Sequence, residues 1–155
     1  MPDNNYWLVK SEPSTFSFDD LVASPKMTSH WDGVRNFTAR NNLQAMKKGD
    51  RVLFYHSSSV PSAVVGIAEV AREAYPDPTA LDPNDPHFDP KSNPEKPSWY
   101  MVDIRAVEAL KRPVSLDEVK KTKGLENMVL VRLGRLSVQP VTAREYETIL
   151  KLGAK

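Results

Sequence analysis

The chain has 155 residues, of which 40% are hydrophobic and 26% are charged, a composition typical of a globular domain with one sizeable core. The formal net charge of +1 argues against a protein that coats long stretches of duplex nucleic acid through phosphate contacts. The absence of cysteine excludes disulfides and cysteine-based zinc sites. No apolar run is long enough to span a membrane, and residues 1–5 lack the features of a signal peptide, so we expect no membrane partner.

The N-terminal third predicts one strand followed by two helices. Residues 6–9 form a short apolar run that favours a buried strand, which Pro13 ends. Residues 17–22 begin with a capping serine and two acidic residues and predict a short helix. Residues 26–30 are expected to form a loop. The apolar spacing over residues 34–46 then predicts a longer helix, with Asn36 as a candidate cap.

The middle of the chain predicts a pair of strands and a long loop. Residues 51–56 and 63–71 are expected to pair as antiparallel strands, and Gly66 within the second strand predicts a bulge or a close approach by another group. Residues 75–97 contain seven of the 13 prolines and four aspartates. They predict an irregular loop, and loops of this length in a compact domain are usually functional or disordered.

The C-terminal part predicts two further strands and capped helices. Residues 99–110 favour a long strand, residues 125–131 a helical turn running into a strand, and residues 135–140 a final short strand. Capping-box patterns predict that helices begin after Ser115 and Thr142. About five or six strands with short connections indicate an α+β fold built on a twisted or barrel-like antiparallel sheet, not a Rossmann-type sheet.

Patterns typical of catalysis are missing from the sequence. The six glycines do not form a phosphate-binding loop, there is no Gly-x-Ser-x-Gly motif, and the three histidines lack zinc-protease spacing. His56 and Ser57 are neighbours on a predicted strand and therefore point to opposite faces. Four aspartates, 77, 82, 85 and 89, lie in the proline-rich segment, where a solvated loop is the better interpretation. We therefore predict no catalytic residue, no metal site and no cofactor.

The segment 31–41 favours ligand binding. Trp31 offers a flat stacking face, Gly33 permits a tight turn, and Arg35 and Asn36 add planar hydrogen-bonding groups. A nucleobase pocket needs this combination of a stacking surface and planar donors and acceptors. The structural alternative is that Trp31 is a core anchor and the arginines form a solvated helix face.

Further candidates lie at strand ends and beside the proline-rich loop. Ser, Asn and His side chains can hydrogen-bond to the edge of a base, and aromatic side chains can stack on its faces. Polar turns and loop anchors are the structural alternatives. These additional candidates are Lys10, Ser11, Tyr55, His56, Ser57, Tyr75 and Trp99.

Several long motifs resemble the EVE domain family. They are YWLVKSEP at residues 6–13, WDGVRN at 31–36 with ARN at 39–41, FYHS at 54–57, AYPD at 74–77, the strand at 99–103 and RLSVQP at 135–140. The resemblance covers residues 6–152 and extends to the thymocyte nuclear protein 1 family. It implies one EVE domain over residues 1–155, with a proline-rich loop at 76–97. The implied fold is a PUA-like incurved antiparallel β-barrel of five or six strands surrounded by short helices and related to YTH domains.

The resemblance also implies a function, that of a non-enzymatic reader of a flipped modified base. A modified cytosine in DNA is favoured over a base in RNA. The alternatives are a binder of RNA or of a small nucleobase-like metabolite, and a hydrolase that acts on such a base through His56. We expect a monomer. The chain carries no long basic N-terminal tail, which favours a bacterial cytoplasmic setting over a nucleus.

The same resemblance suggests roles for the candidate residues. Trp31 would be one wall of an aromatic cage, Lys10 and Ser11 its floor, and Tyr75 or Trp99 a second wall. Base-edge contacts would come from Asn36, His56 and Ser57. Four basic residues are candidates for phosphate contacts, with a solvated helix face as the alternative: Arg35, Arg40, Lys47 and Lys48.

Overall fold

Six strands form one mixed sheet in the computed structural model, which describes residues 5–155. The strands are β1 (Tyr6–Ser11), β2 (Thr28–Trp31), β3 (Arg51–His56), β4 (Ala63–Pro76), β5 (Tyr100–Ser115) and β6 (Val138–Val141). Their order across the sheet is β2-β5-β4-β3-β1-β6. The predicted α+β class and strand number are confirmed. The sheet is not purely antiparallel, because β1 and β3 run parallel and the connection between them crosses over through residues 12–50.

Within residues 5–155, five α-helices surround the sheet: α1 (Phe18–Ala23), α2 (Phe37–Ala45), α3 (Leu116–Lys121), α4 (Val129–Arg132) and α5 (Ala143–Gly153). The predicted capping residue Ser17 and the predicted capping box at Thr142 are confirmed, and Ser17 also forms a complete box, since in both helices the third helical residue bonds back. Ser115 accepts the N–H of Glu118, but the Glu118 carboxylate binds Arg112 instead of completing the box. None of the helices formed by residues 5–155 has the length and apolar character to cross a membrane.

Two local predictions are wrong. Residues 28–30, expected to belong to a loop, form β2 together with Trp31 and pair antiparallel with β5. β2 has only four residues and three of them are polar, so its sequence carries no apolar alternation and its pairing with β5 decides the structure. Residues 125–131 lead into the short helix α4 instead of a strand, and the last strand begins only at Val138.

Gly66 marks an irregularity in the long ribbon formed by β4 and β5, as its position in an apolar strand predicts. The β4–β5 register shifts between Val64 and Gly66 and at three further places along the ribbon. The ring of Phe18 packs directly against Gly66, so a Cβ atom there would lie 2.5 Å from the ring. Register shifts increase local bending and twist of a strand pair, so this ribbon curves.

The curvature brings the edge strand β2 over the centre of the sheet. Trp31 of β2 and Phe54 of β3 are three strand positions apart, which is about 14 Å in a flat sheet. Their ring centroids nevertheless lie 5.5 Å apart, in an edge-to-face arrangement. The sheet therefore curls inward, as the predicted barrel-like form requires.

Both faces of the central strands are buried. On the inner face, Trp7 and Val9 of β1 pack with Trp31 and Phe54 in one apolar cluster. Leu8, between them, belongs to a second cluster that β3 and β5 share with α3, α4 and α5. Burial of alternate residues on opposite faces explains why residues 6–9 form an uninterrupted apolar run.

Candidate ligand-binding pocket

An open pocket of about 520 Å³ lies where the ends of β1 and β2 approach each other. Its volume falls within the range of about 300–1,000 Å³ that is common for small-molecule sites. Apolar and polar side chains line it together. The lining residues are Lys10, Ser11, Thr15, Phe16, Ser29, His30, Trp31, Asp32, Gly33, Val34, Arg35, His87 and Ser137.

Trp31 forms an aromatic wall of the pocket and also anchors the core. It is the last residue of β2 and is 8% exposed. Its ring packs edge-to-face with Phe54 at 5.5 Å and with Phe16 at 6.3 Å between centroids. Trp31 therefore has both of the roles considered for it: one side of its ring packs in the core, and the other side lines the pocket. Phe16 is an aromatic lining residue that sequence reasoning missed, because it lies between a polar turn and a helix cap, outside any periodic pattern.

The floor of the pocket is built from the end of β1. The Ser11 hydroxyl donates to the carbonyl of Phe16 at 2.6 Å, and the Ser11 carbonyl accepts the N–H of Ser57 at 2.9 Å. The Lys10 ammonium group donates to the carbonyl of Gly134 and lies 5.5 Å from the ring centroid of Tyr55. Burial lowers the pKa of Lys10. Lys10 and Ser11 therefore line the pocket as predicted, while hydrogen bonds to backbone carbonyls hold both side chains in place.

The proline-rich loop supplies one side of the pocket through His87. The His87 ring packs on Gly33, where a Cβ atom would lie 2.6 Å from the ring nitrogen Nε2. Gly33 also has a φ of +75°, which L-residues other than glycine rarely adopt. The sequence identified Gly33 as a tight turn but did not indicate that the loop would return a histidine to it.

Arg35 holds the proline-rich loop against the pocket. Its guanidinium group donates twice to the carbonyl of His87, at 3.0 and 2.8 Å, and once to the hydroxyl of Thr79 at 3.1 Å. A further bond of 3.1 Å goes to the carboxylate of Asp77. Arg35 therefore lines the pocket as predicted, but these contacts occupy its planar donor face.

Asp77 is buried, contrary to the prediction of a solvated loop residue. It is 2% exposed and accepts hydrogen bonds from the N–H of Gly33 at 2.8 Å and from the N–H and hydroxyl of Thr79 at 2.8 and 2.6 Å. Burial alone would raise the pKa of Asp77, but the hydrogen bonds from Thr79, Gly33 and Arg35 outweigh it and lower the pKa. These partners explain how a charged loop residue is stable in the interior.

Asp32 is an exposed carboxylate at the pocket surface. Within residues 5–155 its carboxylate forms no ion pair, and the hydrogen bond that acts on it comes from its own backbone N–H. Partial burial and the negative charge of Asp77 raise the pKa of Asp32, against the opposing influence of His87. It was not among the predicted site residues.

Three of the predicted base-edge residues have structural partners outside the pocket. Asn36 caps α2, as predicted, by accepting the N–H of Ala39 at 2.9 Å, and it lines a neighbouring surface groove. His56 accepts the N–H of Phe18 at 3.0 Å through Nε2, and burial lowers its pKa. Ser57 reaches the pocket region only through its backbone bond to Ser11. These three residues therefore have structural roles next to the pocket and do not line it.

Three predicted aromatic contacts also lie outside the pocket. Tyr55 is 3% exposed in the second apolar cluster. The Tyr75 hydroxyl bonds His30 at 2.9 Å and also Asp103, and burial together with Asp103 raises the pKa of Tyr75 to about 12.

Trp99 has the loop-anchor role that was the structural alternative. Its ring stacks on Phe37 at 5.0 Å between centroids, and its indole N–H donates to the Asp89 carboxylate at 2.6 Å. These two contacts hold the end of the proline-rich segment against the start of α2.

Of the residues predicted to contact phosphates, Arg40 lies on α2, and Lys47 and Lys48 follow its C-terminal end. Arg40 donates to the carbonyl of Ser98 at 3.0 Å, which ties it to the end of the proline-rich loop. Lys47 and Lys48 follow the far end of α2, about 13 Å along its axis from the pocket. Their backbone N–H groups bond Asp50 and Glu73. Within residues 5–155, no three His, Asp or Glu side chains gather into a metal-binding group.

Comparison with known proteins places this architecture in a family. The EVE domain model matches residues 5–152. Thymocyte nuclear protein 1 of Rattus norvegicus is 46% identical over 166 residues, covering 96% of this chain and 74% of the relative. The human THYN1 protein, whose crystal structure contains 5-methylcytosine DNA, is 43% identical, with a TM-score of 0.93 over 98% of this chain and 99% of that one.

The fold also extends to a more distant group. The YTH domain of Zygosaccharomyces rouxii MRB1 superposes with a TM-score of 0.57 at 17% identity, over 99% of this chain and 88% of the domain. This similarity supports the predicted relation to YTH domains at the level of the fold. The family model and the relatives each cover nearly the whole chain, and the chain belongs to the EVE domain family.

Proposed function

We propose that the protein is a non-enzymatic reader that takes a modified base, extruded from DNA, into the pocket beside Trp31. The observation that carries the proposal is the pocket itself, in which the aromatic rings of Trp31 and Phe16 meet a polar rim in an open cavity of about 520 Å³. The human THYN1 complex with 5-methylcytosine DNA, at 43% identity, favours a modified cytosine as the ligand.

The energetics of base extrusion are compatible with such a pocket. Unstacking a base from a duplex costs a few kcal/mol. Stacking on an aromatic side chain returns about 1–3 kcal/mol, and an apolar recess that accepts a methyl group contributes about 1–3 kcal/mol of discrimination. The net charge of +1 provides little affinity for unmodified nucleic acid, so recognition depends on the pocket. In this proposal the protein acts as a monomer.

The geometry gives His56 a structural role in place of the catalytic one. A hydrolase would need a general base within hydrogen-bond reach of a bound substrate. His56, the histidine considered for that role, accepts the N–H of Phe18 instead. Within the pocket, the Nδ1 atom of His30 bonds Asp103 and that of His87 contacts Asp85 at 3.2 Å. A carboxylate at Nδ1 can orient a general base, so turnover of a bound nucleoside is the result that would favour the hydrolase.

Binding of matched oligonucleotides tests the proposal. We would titrate the protein with short DNA and RNA strands that carry cytosine, 5-methylcytosine, 5-hydroxymethylcytosine, adenine or N6-methyladenine at one position. Phe16→Ala and Trp31→Ala each remove one pocket wall. Tyr146→Ala removes a buried aromatic ring in the second apolar cluster, away from the pocket, and is the matched control.

The expected result is a preference for a modified cytosine in DNA that both wall variants lose and Tyr146→Ala retains. Because Trp31 also anchors the core, circular dichroism must show that its variant is folded, and the half-buried Phe16 provides the independent test. Equal binding to all strands, unchanged in Phe16→Ala, would refute the base pocket. Binding restricted to RNA, or to free nucleosides, would favour the corresponding alternative ligand.

A further inference from the structure

The charged and titratable side chains that line the pocket differ in whether they have partners. Lys10 donates to a backbone carbonyl, and Arg35 binds Asp77 and the proline-rich loop. The two lining histidines contact Asp103 and Asp85. Within residues 5–155, the Asp32 carboxylate forms no ion pair, and the hydrogen bond that acts on it comes from its own backbone N–H. Its carboxylate therefore remains available to a ligand that enters the pocket.

The electrostatic surroundings of Asp32 limit what that ligand can be. Burial and the negative charge of Asp77 raise the pKa of Asp32, while His87 lowers it and Asp85 has a smaller influence. A phosphate or carboxylate placed against Asp32 would meet repulsion from its carboxylate. An ionised carboxylate is an acceptor only, so the complementary group is an uncharged or cationic hydrogen-bond donor.

Cytosine differs from the other pyrimidines at C4, where it carries an amino group, a hydrogen-bond donor, in place of a carbonyl oxygen. Aspartate and glutamate accept from cytosine N4 in direct base recognition. Thymine carries the same 5-methyl group as 5-methylcytosine but presents the O4 carbonyl in place of the amino group. A carboxylate facing O4 leaves two acceptors opposed, which is costly in a partly desolvated pocket.

We propose that Asp32 determines specificity within the pocket by accepting the N4 amino group of a bound cytosine, so that the site takes amino-bearing pyrimidines and rejects thymine. This inference rests on the proposed function, because it assumes that a base occupies the pocket. It assigns the methyl group and the amino group to different parts of the site: the walls at Trp31 and Phe16 accommodate the ring and its methyl group, and Asp32 selects the amino edge.

The test compares 5-methylcytosine with thymine in otherwise identical single-stranded DNA, where no base pair has to be broken. The wild-type protein is expected to prefer 5-methylcytosine by about tenfold or more, the factor that follows from a discriminating base contact. Asp32→Asn keeps the size of the side chain but can offer an amide N–H to O4. It should reduce the ratio of the two affinities to about twofold or less. Asp82→Asn removes an exposed acid of the same loop that bonds Asn84 and does not line the pocket, and it is the matched control.

A second ratio separates this inference from the proposed function. The preference for 5-methylcytosine over cytosine depends on the methyl recess, so Asp32→Asn should leave it unchanged. A wild-type protein without that preference would contradict the modified-base reader, whatever Asp32 does. An Asp32→Asn protein that discriminates against thymine as strongly as the wild type would overturn the role of Asp32, as would an equal loss in Asp82→Asn. The absence of binding to any strand would overturn both.

Discussion

Replacing Gly33 with alanine should distort the pocket, although Gly33 is not one of the residues predicted to contact a ligand. Gly33 combines two constraints: a φ of +75° and the His87 ring at the place where a Cβ atom would stand. The new methyl group would lie 2.6 Å from Nε2 of His87, whereas ordinary contacts begin at about 3.4 Å. The ring must therefore move by nearly 1 Å or rotate out of the pocket.

The expected loss of stability follows from these two constraints. An alanine in left-handed backbone conformation costs about 1–2 kcal/mol, and the more restricted unfolded chain returns about 0.4–1 kcal/mol. Gly49 has a φ of +92° and no atom within 4 Å of the place where a methyl group would stand, so Gly49→Ala measures this backbone effect alone. Gly33→Ala should lose about 1 kcal/mol more because His87 is displaced. For a chain of this size, each kcal/mol corresponds to about 2–4 °C in Tm.

Thermal unfolding and NMR together test this prediction. The histidine ring signals of Gly33→Ala should show one shifted resonance, that of His87, whereas Gly49→Ala should leave all three histidine resonances unchanged. Affinity for the preferred oligonucleotide should fall only in Gly33→Ala. If both variants lost the same stability and retained the same histidine spectrum and affinity, the contact between His87 and Gly33 would have no part in forming the pocket.

Two further predictions separate support of the loop from support of the core. Arg35→Met should lower stability by about 2 kcal/mol, because buried Asp77 loses an ionic partner, and hydrogen exchange should rise in residues 78–97 more than in the sheet. Asp50→Ala should cost about 2–3 kcal/mol, since this buried carboxylate accepts the indole N–H of Trp7 and the N–H of Lys47, both at 2.9 Å. Its oligonucleotide affinity, measured well below the Tm, should remain that of the wild type. An Arg35→Met protein with unchanged exchange, or an Asp50→Ala protein as stable as the wild type, would contradict these assignments.

Much of the fold could be predicted because local patterns and tertiary contacts agree. Residues 51–56 form β3 with the predicted bounds, since an apolar run between a glycine turn and three serines leaves few alternatives. The capping residues Ser17, Asn36 and Thr142 begin helices as expected. β2 escaped prediction because its hydrogen bonds to β5, about 70 residues later, hold a polar segment that has no strand pattern of its own.

The pocket was only partly predictable for the same reason. Lys10, Ser11, Trp31 and Arg35 belong to long motifs at strand ends and do line it. His87 and Asp32 also line the pocket, for reasons that a single sequence does not reveal. The proline-rich loop returns His87 to Gly33, and Asp32 borders the open space beside Trp31. Trp99 and Tyr75 flank the loop in sequence, but their side chains bind Asp89 and Asp103. Their roles as ligand contacts receive no support from this geometry.

The register shifts of the β4–β5 ribbon influence the size of the ligand that the pocket can accept. The distance between the pocket walls depends on how far the sheet curls, because Trp31 reaches Phe54 only through that bending. Gly66, packed against Phe18, lies at one of the bends and does not line the pocket. A substitution there would alter the spacing of the walls while every lining side chain stayed the same. Two proteins with identical pocket residues can therefore differ in the size of the base they accept, so selectivity can evolve through the backbone of a distant strand.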